Sequence, residues 1–188
     1  MTRAVIFDCF GVLVGTSYFT FRNLCPPEKH KELADAHLAT DYGFITQEEY
    51  AARVGDIIGM DHEKVREAIN RHHTTNKELL TYVKHLRQTH KTALLSNVGS
   101  GVIETIFSQQ ELNELFDEVV LSYQVRMVKP DPEIFKLAAT RLGLPVEQCL
   151  MIDDRQEFCD GADAAGMPYI RYESNTQIEK AIREHLAA

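Results

Sequence analysis

Four short stretches hold the side chains that could do chemistry together. Asp8 closes the apolar run Ala4-Val5-Ile6-Phe7 and is followed by Cys9-Phe10-Gly11. Ser96-Asn97 closes Thr92-Ala93-Leu94-Leu95, Lys129 precedes Pro130-Asp131-Pro132, and Asp153-Asp154 closes Cys149-Leu150-Met151-Ile152. Brought together, the carboxylates of Asp8, Asp153 and Asp154 repel one another unless a hard cation neutralises them, and oxygen ligands suit Mg²⁺. Ser96 would add a hydroxyl donor, Phe10 and Gly11 backbone N–H groups, and Lys129 a mobile cation. Such a pocket takes a tetrahedral anion. A carboxylate at its centre can attack phosphorus and form an aspartyl-phosphate. Taken by itself, Asp8 is equally well a turn-forming residue after an ordinary strand; the downstream stretches tip the balance.

These residues meet only if the elements that carry them share one sheet edge. The run at 4–7 has no polar alternation, which suits a strand buried on both faces. An aspartate at its carboxyl end stands where open α/β sheets place ligands. Residues 16–75 then read as helices with no strand pattern between them. Pro26-Pro27-Glu28 starts one, Thr46-Gln47-Glu48-Glu49 is a capping box for a second, and Asp61-His62-Glu63-Lys64 starts a third. From residue 76 helices and strands alternate. A helix spans 76–90 and a strand 92–95; a helix then runs through Val102, Ile103, Ile106 and Phe107 to a strand at 118–121. Asp131-Pro132 opens a helix that ends at Gly143, followed by a strand at 149–152 and a helix ending at Ala165-Gly166. Tyr169-Ile170 makes an edge strand, and a helix over 178–185 closes the chain. The alternation predicts a parallel α/β sheet with right-handed crossovers. The expected organisation is a core of residues 1–15 and 76–188 with a helical insertion at 16–75.

Composition limits the partners. At 188 residues the chain fits one domain, or a core with a small insertion. A formal net charge of −8 argues against a nucleic-acid or anionic-membrane surface. No apolar run approaches the ~20 residues of a membrane span, and Asp8 interrupts the one early run a signal peptide would need. Cys9, Cys25, Cys149 and Cys159 lack metal-type spacing, and no disulfide framework is expected at this size. The expectation is a cytoplasmic protein, monomer or homodimer.

Asp8-Cys9-Phe10-Gly11-Val12-Leu13, Leu95-Ser96-Asn97, Val128-Lys129-Pro130-Asp131-Pro132 and Ile152-Asp153-Asp154 together resemble the four motifs of the haloacid dehalogenase superfamily, in order. The resemblance covers essentially the whole chain. It includes a helical cap inserted after the first motif, as in the subclass of dehalogenases and many small-metabolite phosphatases. It implies a Rossmann-like, doubly wound core with the first strand central. It also implies that Asp8 is the nucleophile, that Ser96 and Lys129 bind the transferring group, and that Asp154 ligates Mg²⁺ directly. Asp153 would assist through water, and the carbonyl of Phe10 would complete the protein ligands. The implied substrate is a small phosphorylated metabolite.

One position departs from the resemblance. Phosphatases of this family usually carry a second aspartate two residues after the nucleophile, which protonates the leaving oxygen and then deprotonates the attacking water. Here Phe10 stands there, and general acid–base help is worth roughly 10²–10⁴ in rate. Three functions compete on this footing. The first is a Mg²⁺-dependent phosphatase with altered acid–base chemistry. The second is a 2-haloacid dehalogenase, whose relatives carry an aromatic at the Phe10 position and a cap arginine, for which Arg22 is the candidate. The acidic pair Asp153-Asp154 argues against it. The third is a phosphometabolite-binding protein that has lost turnover.

Other residues receive a plainer assignment. The eight histidines, among them His72-His73, lack ligand spacing and are expected on the surface. Cys9 is expected to pack. Arg155, Glu157 and Asp160 read as a solvated helix face, and Tyr42-Gly43-Phe44 as a helix–helix turn. Asn97 could touch substrate or cap the next helix.

Overall fold

The computed structural model describes residues 1–15, 18–71 and 74–187. His72 and His73, expected on the surface, lie outside that set. Strand β1 (Ala4–Phe7) is followed by four helices, α1 (Tyr18–Leu24), α2 (His30–Asp41), α3 (Gln47–Ile58) and α4 (His62–Arg71). Helix α5 (Lys77–Leu86) leads to β2 (Lys91–Ser96), α6 (Val102–Ile106), α7 (Gln109–Leu115) and β3 (Glu118–Leu121). The chain continues through α8 (Ser122–Val125), α9 (Pro132–Arg141), β4 (Cys149–Asp153), α10 (Gln156–Ala164), β5 (Tyr169–Arg171) and α11 (Asn175–Ala187).

The five strands form one parallel sheet in the order β3-β2-β1-β4-β5, so β1 is central. Its alternate side chains feed two cores. Val5 and Phe7 pack with Leu79, Val83, Ile103, Leu112 and Ile178 on one face. Ala4 and Ile6 pack with Ile134, Phe135, Ala138 and Ala162 on the other. Helices therefore cover both faces, which is why an all-apolar strand with no polar alternation is stable here. This is the α/β, Rossmann-like doubly wound architecture that the alternating pattern predicts.

Between β1 and β2 the described chain is helical, with an apolar cluster of its own: Phe21, Leu33, Tyr50, Val54, Val65 and Ile69. The capping box at the start of α3 is present: the Glu49 N–H donates to Thr46 Oγ1 (3.1 Å) and the Thr46 N–H to Glu49 Oε2 (2.7 Å). The insertion rests on the core at two glycines. A side chain on Gly99 would collide with Gln47 and Thr40, and one on Gly43 (φ +70°) with the backbone of Tyr123. No helix among the described residues is long and apolar enough to cross a membrane.

The helix expected through Phe107 stops at Ile106, and α7 starts after it. Phe107 is extended (φ −124°, ψ 133°), which frees Ser108 to cap α7 in a second capping box with Glu111. Val102 and Ile103 before the break and Leu112 and Leu115 after it enter the same core. Apolar periodicity thus reads as one helix where capping chemistry makes two.

Candidate active site

The parallel register builds the site. Phe7 pairs with Leu94 and Ile152, so the next residues, Asp8 and Asp153, emerge side by side at the carboxyl ends of β1 and β4. The Asp8 N–H donates to the Ile152 carbonyl at 2.9 Å and holds the first of these in place. Asp8, Asp153 and Asp154 each offer a carboxylate oxygen, and the three atoms lie within 4.8 Å of one another.

Lys129 joins two of them. Its Nζ donates to Asp8 Oδ1 and to Asp153 Oδ2, both at 2.6 Å, and its side chain is fully buried. Three contacts fix it there. The Asn97 amide donates to the Lys129 carbonyl (2.9 Å) and accepts from the Lys129 N–H (2.8 Å), a two-point clamp on its backbone. Nζ also lies 4.7 Å from the centre of the Phe158 ring, whose attraction for cations adds to the placement. Burial alone would lower the Lys129 pKa, but the carboxylates of Asp153 and Asp8 outweigh it and hold the ammonium above its ordinary value. Burial, followed by the charges of Asp153 and Asp154, pushes the Asp8 carboxyl up to about 7 against the pull of Lys129. One ammonium does not balance three carboxylates.

The uncompensated charge lies at Asp154. Both Asp153 oxygens are engaged, Oδ2 by Lys129 and Oδ1 by the Arg155 N–H (3.0 Å). Asp154 Oδ1 is buried with no hydrogen-bond partner. Leaving such an atom without a partner costs about 1–3 kcal/mol, more for a charged group. Gly11 gives it room: an added Cβ there would fall 2.5 Å from Asp154 Oδ2. An orphaned carboxylate oxygen beside Asp8, in an oxygen-only donor set, fits a hard divalent cation.

The cluster opens into a cavity of about 760 Å³ between the sheet edge and the helical insertion, lined on the core side by Asp8, Phe10, Asn97, Lys129 and Asp154. Of the eight residues expected to form the catalytic, substrate and metal set, those five line the cavity. Asp153 lies behind them, holding Lys129. Ser96 is fully buried at the end of β2; its hydroxyl donates to the Asn97 carbonyl at 3.4 Å, and it does not line the cavity. The Gly11 N–H, expected as an anion donor, is committed to the Val14 carbonyl (2.7 Å) in the turn after β1. Lys129 is a clamped cation rather than a mobile one. Asn97 caps no helix, because Gly101 precedes α6.

Several cavity residues have no signal in the four motifs. Phe158, in the first turn of α10, lies under Lys129 with its ring centre 4.1 Å from the Arg155 guanidinium carbon. Arg155 and Glu157, assigned to a solvated face, also line the cavity, as does Tyr42. His37, partly exposed, faces it as well, and so does the buried Asp41, one turn later on α2. Their i, i+4 spacing is the one trace of this pair in the sequence.

A family model for haloacid dehalogenase-like hydrolases matches residues 2–166. The fructose-1-phosphate phosphatase YqaB of Escherichia coli is 32% identical over 89 residues, 47% of each chain. The D-ribitol-5-phosphate phosphatase of Bacteroides thetaiotaomicron is 27% identical over 172 residues, covering 82% of this chain and 84% of that one. The chain spans less than half the length of seven of the curated relatives it matches. In fold, it is similar to an enzyme of the same superfamily from Bacteroides thetaiotaomicron, solved with magnesium and inorganic phosphate. That likeness has a TM-score of 0.74 at 22% identity and covers 93% of this chain and 96% of the other.

Proposed function

The chain belongs to the haloacid dehalogenase-like hydrolases, and on that basis we propose that it is a Mg²⁺-dependent phosphatase of small phosphorylated metabolites, phosphorylated sugars foremost. The observation that carries this is the charge balance at the sheet edge. Three carboxylates share one ammonium, and the oxygen left over, Asp154 Oδ1, is buried and unpartnered. Phosphatases of sugar phosphates among the relatives, and the magnesium and phosphate in a structural neighbour, fit the same assignment.

In this mechanism Asp8 attacks phosphorus, its carboxylate oxygen forming the new bond as the ester oxygen leaves. Lys129, Asn97 and Asp153 act together: the clamp and the second carboxylate hold the ammonium against Asp8, so the nucleophile is oriented before substrate arrives. Asp8, Asp154 and the carbonyl of Phe10 would hold Mg²⁺, which supplies positive charge against the incoming phosphate dianion. Ser96 belongs to the phosphate-binding set by resemblance, and to reach substrate its hydroxyl would have to turn from the Asn97 carbonyl. The helical insertion acts as the cap that selects the organic part of the substrate. Every residue named lies in one chain, which suits a monomer or a homodimer alike.

The dehalogenase alternative draws on Phe10 and Arg22, both of which line the cavity. Displacement of halide by an aspartate calls for no cation, however, and leaves Asp154 unexplained. A panel of phosphorylated metabolites and 2-haloacids, assayed with Mg²⁺ and with EDTA, separates the two. Phosphate release that needs Mg²⁺ and is abolished by Asp8→Asn is expected. Halide release from 2-haloacids in EDTA would replace this assignment, and tight phosphometabolite binding without turnover would reduce the protein to a binder.

A further inference from the structure

Phe10 leaves the hydrolysis without the carboxylate that would pass protons on the core side of the cavity. The insertion presents one from the other side. Asp41, the last residue of α2, is 5% exposed and lines the cavity that Asp8 opens into. Among the described residues no hydrogen bond is donated to its carboxylate. The nearest ion-pair partner is His37, with Nε2 3.8 Å from Oδ2, and the His37 ring is held from its other nitrogen by the Tyr50 hydroxyl at 3.2 Å. A largely buried carboxylate that faces a cavity already holding a nucleophile, with an imidazole as its ion-pair partner, is placed to exchange a proton with a group bound there.

Its position is fixed from the core. The hydroxyl of Ser122, the first residue of α8, donates to the Asp41 main-chain carbonyl at 2.6 Å and accepts from the Val98 N–H at 2.9 Å. Val98 directly follows Asn97, the residue that clamps Lys129. One short chain of hydrogen bonds therefore ties Asp41 to the loop that positions the ammonium on Asp8. The tether fixes the main chain of Asp41, and with it the point on the cavity wall from which the carboxylate is presented.

We infer that Asp41, with His37 beside it, is the proton carrier of this hydrolysis, in place of the carboxylate missing at Phe10. The inference rests on the phosphatase assignment. In the first step an oxygen of Asp8 bonds to phosphorus, the P–O bond to the alcohol breaks, and the departing oxygen takes the proton of the Asp41 carboxyl. In the second, water attacks the phosphorus of the aspartyl-phosphate and gives a proton to the Asp41 carboxylate. The bond between Asp8 and phosphorus breaks, inorganic phosphate leaves, and both aspartates return to their starting forms. Burial raises the Asp41 carboxyl above its ordinary value; the charges facing it, His37 on its own helix and Lys129 and Arg155 from the core, oppose that and do not cancel it. The shift is toward the protonated form, the form the first step uses.

The test compares wild type, Asp41→Asn and Asp41→Glu on an alkyl phosphate and on p-nitrophenyl phosphate, whose leaving group needs no proton. Asp41→Asn is expected to lower kcat on the alkyl ester by about 10²–10⁴-fold. On p-nitrophenyl phosphate it should still release one equivalent of nitrophenol in a fast first turnover, then stall. The alkaline fall in kcat on the alkyl ester should disappear in Asp41→Asn, a change that loss of a purely structural residue would not produce. Asp41→Glu should recover part of the rate. Should Asp41→Asn unfold, Asp41→Glu still decides, because a longer carboxylate at a proton-transfer position alters the alkyl ester rate far more than the nitrophenyl burst. Equal losses on both substrates, or alkyl ester turnover within threefold of wild type in folded Asp41→Asn, would overturn the inference alone. A wild type inert toward both esters with Mg²⁺ would instead remove the phosphatase assignment, and this inference with it.

Discussion

A side chain at Gly11 would have to occupy the place of the Asp154 carboxylate: its Cβ would come within 2.5 Å of Oδ2 and 2.6 Å of Cγ. Gly11 also has φ +96°, a conformation that L side chains adopt only under strain. Gly11→Ala should therefore act in two ways. The backbone strain costs roughly 1–2 kcal/mol, and the displaced carboxylate leaves its position beside Asp8. The readout is the melting temperature with and without millimolar Mg²⁺. A lower melting temperature and a smaller Mg²⁺ increment are expected, and a variant with the full wild-type increment would refute the steric link.

Lys129 is the one cation between Asp8 and Asp153 among the described residues, so its removal strands two buried charges. Lys129→Met keeps much of the side-chain volume and should destabilise the protein by about 3–5 kcal/mol in urea unfolding at neutral pH. Adding Asp153→Asn should recover part of that loss, because one of the stranded charges is then gone. Additive losses in the double variant would mean that the pair is not energetically coupled.

The metal-free protein should become less stable as pH rises. The folded-state pKa of Asp8, about 7, exceeds its ordinary 3.8, so its contribution is complete below 3.8 and is lost as pH climbs through about 7. Each unit is worth about 1.4 kcal/mol, which makes the loss a few kcal/mol. Unfolding free energies in EDTA should therefore move in favour of Asp8→Asn over that interval, and Mg²⁺ should suppress the movement. A difference between the two proteins that stays constant with pH in EDTA would rule this out.

Asn97 earns its place through the backbone of Lys129 rather than through a helix cap. Asn97→Leu removes both partners of that clamp and leaves the Lys129 N–H and carbonyl without them. A loss of about 1–3 kcal/mol is expected in denaturant unfolding. Phosphate release should drop in kcat more than KM rises, since the ammonium loses its placement and not its charge. A change confined to KM would make Asn97 a substrate contact instead.

The element types and the order of the motifs were legible because they are local. Apolar runs such as Ala4-Val5-Ile6-Phe7 and Leu150-Met151-Ile152 state that a strand is buried on both faces, and the aspartates after them state where the sheet edge lies. The capping box at Thr46 and Glu49, and Asp131 before Pro132, mark helix starts within four residues of chain. Parallel pairing then brings Asp8 and Asp153 together with no further information. The break at Phe107 was hidden because apolar spacing stays regular across it, while the Ser108–Glu111 box carries the signal.

What the tertiary structure decided is which atoms are left over. Lys129 reaches Asp8 across 121 residues of chain, and its burial, the engagement of Asp153 and the isolation of Asp154 Oδ1 follow from that one placement. Asp41 and His37 look like an ordinary surface pair one turn apart on a helix. Only the docking of α2 against Ser122 makes them part of the cavity wall. The physical reason is common to both cases. Periodicity reports which face of an element is buried, whereas the partner of a buried charge is set by the packing of elements distant in sequence, and no spacing along the chain records it.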